Sequence, residues 1–211
     1  MKELVSQEYK IWLESLKNKF RSSQIKASIK VNTTLLEFYW DLGGQIVQKQ
    51  EEHKRRSGFL EKLSHDLSAE FPDVKGFSYR NIRFIRQWYI FWQQDAAKIE
   101  NENWQQLVAI LFQIPWGHHQ IILNKIKNID EAIYYVQNTM LNGISRSVLV
   151  HQIESNLYER EGKAITNFEN TLPPIQSDLA KEITKDPYIF DFVALTQDYQ
   201  EKELEDALTQ N

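Results

Sequence analysis

The stretch "VKGFSYRNIRFIRQWYIFWQQ", residues 74–94, decides how this chain is read. Ser78 follows Gly76-Phe77 and can accept an N–H from the first turn of a helix, which makes it a good N-cap. With Ile82 at 0° and about 100° per residue, Ile85, Trp88, Tyr89, Phe91 and Trp92 fall between about 180° and 360°. Arg86, Arg83, Gln87 and Arg80 fall at about 40°, 100°, 140° and 160° on the same wheel. One face of this helix is a core face. The other is a ribbon of three guanidiniums and an amide, which suits an anion.

The same period runs outward in both directions. Only 7 Gly and 5 Pro occur in 211 residues, and the long windows repeat helically. Residues 2–20 read as a helix with Leu4, Tyr9, Trp12, Leu13, Leu16 and Phe20 on its apolar side. Residues 23–52 read as a second, long helix with Ile25, Ile29, Leu36, Tyr39, Trp40 and Ile46 inward. Gly43-Gly44 inside it predicts a bend or a close contact, because each Gly costs about 1 kcal/mol against Ala in a helix. "RRSGF" breaks the pattern at Ser57-Gly58. A helix over 59–71 follows, with Leu60, Leu63, Leu67 and Phe71 on one face, then a turn at "PDVKG". Further helices fit 104–112, 116–127, 129–141 and 145–160, with Pro115 as a separator and Gly143 as a C′ residue. The last of these is expected to turn Val148, Ile153 and Leu157 inward. The fold class is therefore mainly α, a multi-helix body.

Composition narrows the function classes. Hydrophobic residues make up 42% and aromatics 12%, enough for a packed core. No apolar run approaches the roughly 18 residues of a membrane span. The opening "MKELVSQEYKIWLESL" scatters charge and has no continuous apolar region, so no signal peptide is expected. The absence of cysteine excludes disulfides and thiolate chemistry and fits a cytoplasmic protein. The net charge of −4 hides an asymmetry, since residues 1–160 hold 21 Lys/Arg against 18 Asp/Glu and residues 161–211 hold 4 against 11. Residues 54–86 are the densest positive stretch, and local excess governs what a surface attracts.

Two segments echo one another. "KGFSYRNIRFIRQ" (75–87) and "NGISRSVLVHQIE" (142–154) each place Gly, an apolar residue and Ser ahead of an amphipathic helix. That is the grammar of helix-turn-helix units, whose second helix can enter a major groove. The candidate nucleic-acid contacts are Arg80, Asn81, Arg83, Arg86 and Gln87 in the first unit, and Arg146 and Gln152 in the second. His151 and Ser147 add little. His118 and His119 are adjacent and point to different sides of a helix, so they form no i, i+4 ligand pair; a structural role is expected, with Trp116 as a core anchor. No G-x-S-x-G, Walker A or H-E-x-x-H motif occurs, so no catalytic or metal residue is assigned. Glu203, Glu205 and Asp206 read as a solvated helix face.

Longer segments carry a resemblance. "AILFQIPWGHHQIIL", "GISRSVLVHQIESNLYEREGKAITNFENTLPPIQSDLA" and "KDPYIFDF" resemble the YhcG-like nuclease family, over essentially the whole chain and most strongly from about residue 57 to 208. The resemblance implies an N-terminal helical region, with a winged-helix-like unit, that binds DNA ahead of a C-terminal PD-(D/E)XK nuclease domain. It implies a helical DNA-binding domain over 1–162, a linker over 163–188 around Pro173-Pro174 and Pro187, and the start of a truncated nuclease domain over 189–211. The metal-binding Asp and the (D/E)-X-K pair would then lie beyond Asn211. These residues are expected to hold no cofactor and to cleave nothing themselves, Mg²⁺ being implied for the nuclease domain alone.

The expected function is to bind double-stranded DNA and position it for that catalytic domain, in a repair or restriction setting. The alternative is a helical protein–protein interaction or homo-oligomerisation module using the 23–52 helix. No membrane contact is expected in either case.

Overall fold

The computed structural model describes residues 7–52, 58–94, 101–161, 183, 186, 188 and 189. Leu4, most of the 163–188 stretch, and Glu203, Glu205 and Asp206 lie outside the described residues. Among the described residues there are eight α-helices: α1 (Gln7–Glu52), α2 (Phe59–Glu70), α3 (Tyr79–Gln94), α4 (Asn101–Leu111), α5 (Trp116–Lys125), α6 (Ile129–Asn142), α7 (Arg146–Glu154) and α8 (Leu157–Arg160). A 3-10 turn at Lys75–Phe77 precedes α3. There is no strand among the described residues. The mainly α expectation holds.

The two helices expected over 2–20 and 23–52 are one. α1 runs unbroken for 46 residues. Ser22-Ser23 does not break it, because Ser23 Oγ folds back onto the Lys19 carbonyl at 3.0 Å, as Ser28 does onto Gln24 at 2.9 Å. Such i−4 bonds occupy the hydroxyl that would otherwise compete with the helix. The C-terminal half of α1 lies along α3 and buries Leu35, Leu36, Tyr39 and Ile46. Its N-terminal half leaves Tyr9, Trp12, Leu16 and Phe20 exposed, at 48%, 56%, 47% and 64%, so that stripe is not an inward face of this chain.

One hydrophobic core joins α1, α3, α4, α5, α6 and α7. Trp40 stands at its aromatic centre, with ring centroids 5.2 Å from Trp88, 5.0 Å from Tyr89 and 6.1 Å from both Trp104 and Phe112. Edge-to-face pairs at such distances add to the stabilisation from burial alone. α3 contributes Ile85, Trp88 and Trp92, all fully buried, as its helical phase requires, and turns the equally buried Ile82 toward a second cluster. A smaller cluster of Ile46, Leu60 and Ile82, flanked by Leu63 and Leu67, seats α2 on α1 and α3. Phe71 departs from expectation: it is 45% exposed, one edge of its ring resting on Phe77 at 5.6 Å.

The two proposed helix-turn-helix units differ. Residues 143–145 join α6 to α7 tightly, with Gly143 at φ 60° and the Ser145 hydroxyl capping Val148 N–H. Residues 71–78 between α2 and α3 include the 3-10 turn, longer than the motif's usual connection of about three or four residues. The helix expected over 145–160 is also interrupted, because Asn156 takes the left-handed conformation at φ 52° and separates α7 from α8. In α7, Leu149 is buried and Val148 is 45% exposed, one position out of the expected phase.

Gly43 and Gly44 mark a close approach within a continuous helix. A Cβ on Gly43 would sit 2.7 Å from Tyr89 Cβ and 3.2 Å from the Ile85 carbonyl oxygen. Gly43→Ala is therefore expected to destabilise the fold by about 1–3 kcal/mol through overpacking, despite Ala's better helix propensity. Urea unfolding checks this. A midpoint equal to or above that of the parent chain would mean that α1 and α3 are not in this contact.

Candidate nucleic-acid interface

The sequence-predicted residues separate once they are placed. Arg80, Arg83 and Gln87 are exposed along one side of α3, and Arg86 is half-buried with its Nε enclosed. Asn81 is not a surface contact: it is 1% exposed. Its Nδ2 donates to the Gly76 carbonyl at 2.8 Å and the Tyr39 hydroxyl at 3.4 Å. Its Oδ1 accepts from Trp116 Nε1 at 2.8 Å and Gln120 Nε2 at 3.3 Å. Two donors and two acceptor sites are the full capacity of an amide, and all are used inside the protein.

The second unit stands apart. Arg146 is exposed, its guanidinium so close to Gly117 that a Cβ there would lie 2.8 Å from Arg146 Cζ. Gln152 is half-buried and held between helices, accepting from Asn138 Nδ2 at 3.1 Å through its side chain and from the Tyr135 hydroxyl at 3.2 Å through its carbonyl. Neither lines the surface that carries Arg80 and Arg83.

That surface is a cleft of about 520 Å³ between α3 and α5. Arg80, Arg83 and Gln87 form one wall; Gln120 and Asn124 of α5, with Tyr188, form the other. Asn81 lies at its floor, and Tyr79 and Phe84 also face it. No carboxylate is among the described lining residues. The nearby Glu61 instead accepts from the Tyr79 hydroxyl, which raises that phenol's pKa. Among the described residues, no group of three His, Asp or Glu side chains could hold a metal ion. The cleft is cationic and rich in amides, suited to binding phosphate and polar edges.

Gln120, Asn124 and Tyr188 were not among the residues singled out from the sequence. A signal was available for the first two, since positions four apart share a helix face. Tyr188 is placed by Asp186, a buried carboxylate that accepts from Gly117 N–H at 3.0 Å and Tyr188 N–H at 3.1 Å. Ile183 and Ile189 are buried beside it in the main core. The body thus takes in positions on both sides of residue 188.

The histidine pair is structural. His118 donates from Nε2 to the Ile144 carbonyl at 2.8 Å. His119 accepts at Nδ1 from Trp88 Nε1 at 3.1 Å and bonds through Nε2 to the Leu111 carbonyl at 2.9 Å. An indole only donates and a carbonyl only accepts, so His119 is the neutral Nε2–H tautomer. Burial lowers its pKa to about 3.

Residues 15–160 match the family described as DUF1016 N-terminal domain. The chain belongs to that family. The matched region runs from α1 to α8, so both helical walls of the cleft lie in the DUF1016 N-terminal domain, and Tyr188 lies outside it. The chain is also 25% identical over 218 residues to "Putative nuclease YhcG" of Escherichia coli (strain K12), covering 89% of this chain and 56% of that protein. It spans little more than half the length of this curated relative. No solved structure matches it. No helix among the described residues is long and apolar enough to cross a membrane.

His119 makes the DUF1016 N-terminal domain sensitive to acid. Its pKa is about 3 when folded, against about 6.5 when unfolded. Its stabilising contribution is thus complete above pH 6.5 and lost as pH falls toward 3, by about 1.4 kcal/mol per unit. Between pH 7.5 and 5.0 the loss should be about 2 kcal/mol in urea titrations. His119→Gln, which can still donate and accept, should show a flatter dependence. Equal pH slopes in the two proteins would contradict this account.

Proposed function

We propose that this helical body is the DNA-binding module of a nuclease-type protein and positions DNA for a PD-(D/E)XK catalytic domain beyond these residues. One observation carries the reading: Arg80 and Arg83 stand exposed on a polar cleft whose described lining contains no carboxylate. Phosphate contacts supply much of the affinity of such proteins, and amides beside them can meet base edges. The family membership and the name of the relative support a nucleic-acid partner. Arg86, half-buried, is not among the residues that line the cleft and is secondary to Arg80 and Arg83. Arg146 and Gln152 are secondary, since they lie off the cleft.

Fluorescence anisotropy with labelled DNA tests this. Arg80→Ala/Arg83→Ala should weaken binding by roughly 10- to 100-fold and reduce the slope of log affinity against log salt by about 2. A folded double variant with unchanged affinity and slope would refute the assignment.

The exposed stripe of α1 favours a second reading, self-association. The long helix expected to serve as partner surface is largely covered over 31–50, and the available apolar residues lie at 9–20. Tyr9, Leu13, Leu16 and Phe20 follow 4-3-4 spacing, so an antiparallel copy would pair Leu13 with Leu16 and Tyr9 with Phe20. The flanking charges are mixed, Lys17 pairing with Glu14 at 2.7 Å beside Lys10, Lys19 and Arg21, so salt should leave an apolar seam largely unchanged. Self-association should persist at salt concentrations where DNA binding weakens. Light scattering should show the oligomer lost in Leu16→Glu/Phe20→Glu, and a monomer at all salt concentrations would dismiss the idea.

A further inference from the structure

Resting on the DNA-binding reading, we infer that the α3–α5 cleft takes one unpaired nucleotide, with its phosphate on Arg80 and Arg83 and its base among the amides and phenols. A helix that reads a duplex directly must stand proud enough to enter a groove about 12 Å wide. The charged side of α3 is not free-standing, because Gln120 and Asn124 of α5 and Tyr188 line the cleft opposite it. A single nucleotide between the two walls can meet side chains from both. A volume of about 520 Å³ falls in the range of roughly 300–1,000 Å³ typical of small-molecule sites, the scale of one nucleotide.

The chemistry divides in the same way. Arg80 and Arg83 supply guanidiniums for a phosphate. Gln87, Gln120 and Asn124 each offer a donor and an acceptor, the complement of a base edge. A Watson–Crick edge is open to such groups only when its base is unpaired or extruded, and flipped bases are read in pockets of this kind. Tyr79, Phe84 and Tyr188 supply rings on which a base can stack. Gln120 Nε2 is divided between Asn81 Oδ1 and the Tyr188 hydroxyl, each at 3.3 Å. Bonds that long are readily exchanged for bonds to a ligand. When Gln120 turns outward, Asn81 beneath keeps its bonds to Gly76, Tyr39 and Trp116, which hold the floor in place.

The experiment uses the 211-residue chain and three fluorescein-labelled probes: a fully paired 20-mer, the same duplex with one bulged nucleotide, and a single strand. The bulged duplex should bind at least about tenfold more tightly than the paired one. Asn124→Ala, an exposed position with no bearing on the core, and Gln120→Ala/Asn124→Ala should bring the affinity for the bulged duplex down to that for the paired one. Circular dichroism confirms that each variant is folded. Equal affinity for bulged and paired DNA, or a preference untouched in both variants, would overturn the unpaired-nucleotide site and leave DNA binding standing. Absence of binding to all three probes would overturn the DNA-binding reading itself.

Discussion

The side chain of Asn81 is the point on which the rest of the structure depends. It meets Tyr39 on α1, the Gly76 carbonyl in the 3-10 turn, and Trp116 and Gln120 on α5, while itself belonging to α3. A buried amide is tolerable only when all its hydrogen-bonding capacity is used, because each unmet group costs about 1–3 kcal/mol. The four partners thereby fix the register of α3 against α1 and the spacing of α3 from α5. That spacing is the width of the cleft. Trp116 adds a second tie, packing against Tyr39 at 4.8 Å and Trp88 at 5.2 Å while its N–H is spent on Asn81. A network satisfied at every member specifies one arrangement more sharply than apolar packing alone.

The segment around Asp186 extends this framework to the other wall. A carboxylate at the start of α5 is favoured by the exposed N–H groups and the dipole of a helix N-terminus, and Gly117 provides the bond. Asp186 also accepts from Tyr188 N–H, so burial of this one side chain sets where the Tyr188 ring stands over Gln120. Ile189, next to Tyr188, is buried in the main core.

Helical content and the phase of α3 were legible in the sequence because both rest on periodicity. Ile82, Ile85, Trp88 and Trp92 are fully buried as the inward face requires, whereas Tyr89 and Phe91, expected on the same face, are half-buried. Asn81 was misassigned although the same wheel sets it at about 260°, inside the apolar half; residue type outweighed phase. Read by periodicity, α1 divides between residues 20 and 23, and the back-bonds of Ser23 and Ser28 that accompany the continuous helix follow from local geometry rather than composition. Asn156 ends α7 through a single left-handed residue, a choice that Asn permits without announcing. The cleft itself could not be read locally. Its walls come from residues 80–87, 120–124 and 188, brought together by the Asn81 and Asp186 networks and by the contacts of Trp88 with Trp116 and His119.

DNA bound between α3 and α5, as proposed, must shield the backbone amides of both helices. Hydrogen–deuterium exchange of the 211-residue chain, with and without a saturating bulged duplex, reads this out. New protection is expected over residues 78–88 and 119–125, with α6 and the N-terminal half of α1 unchanged. Protection confined to residues 9–24 or to α6 and α7, with the α3–α5 cleft exchanging as in the free protein, would contradict it.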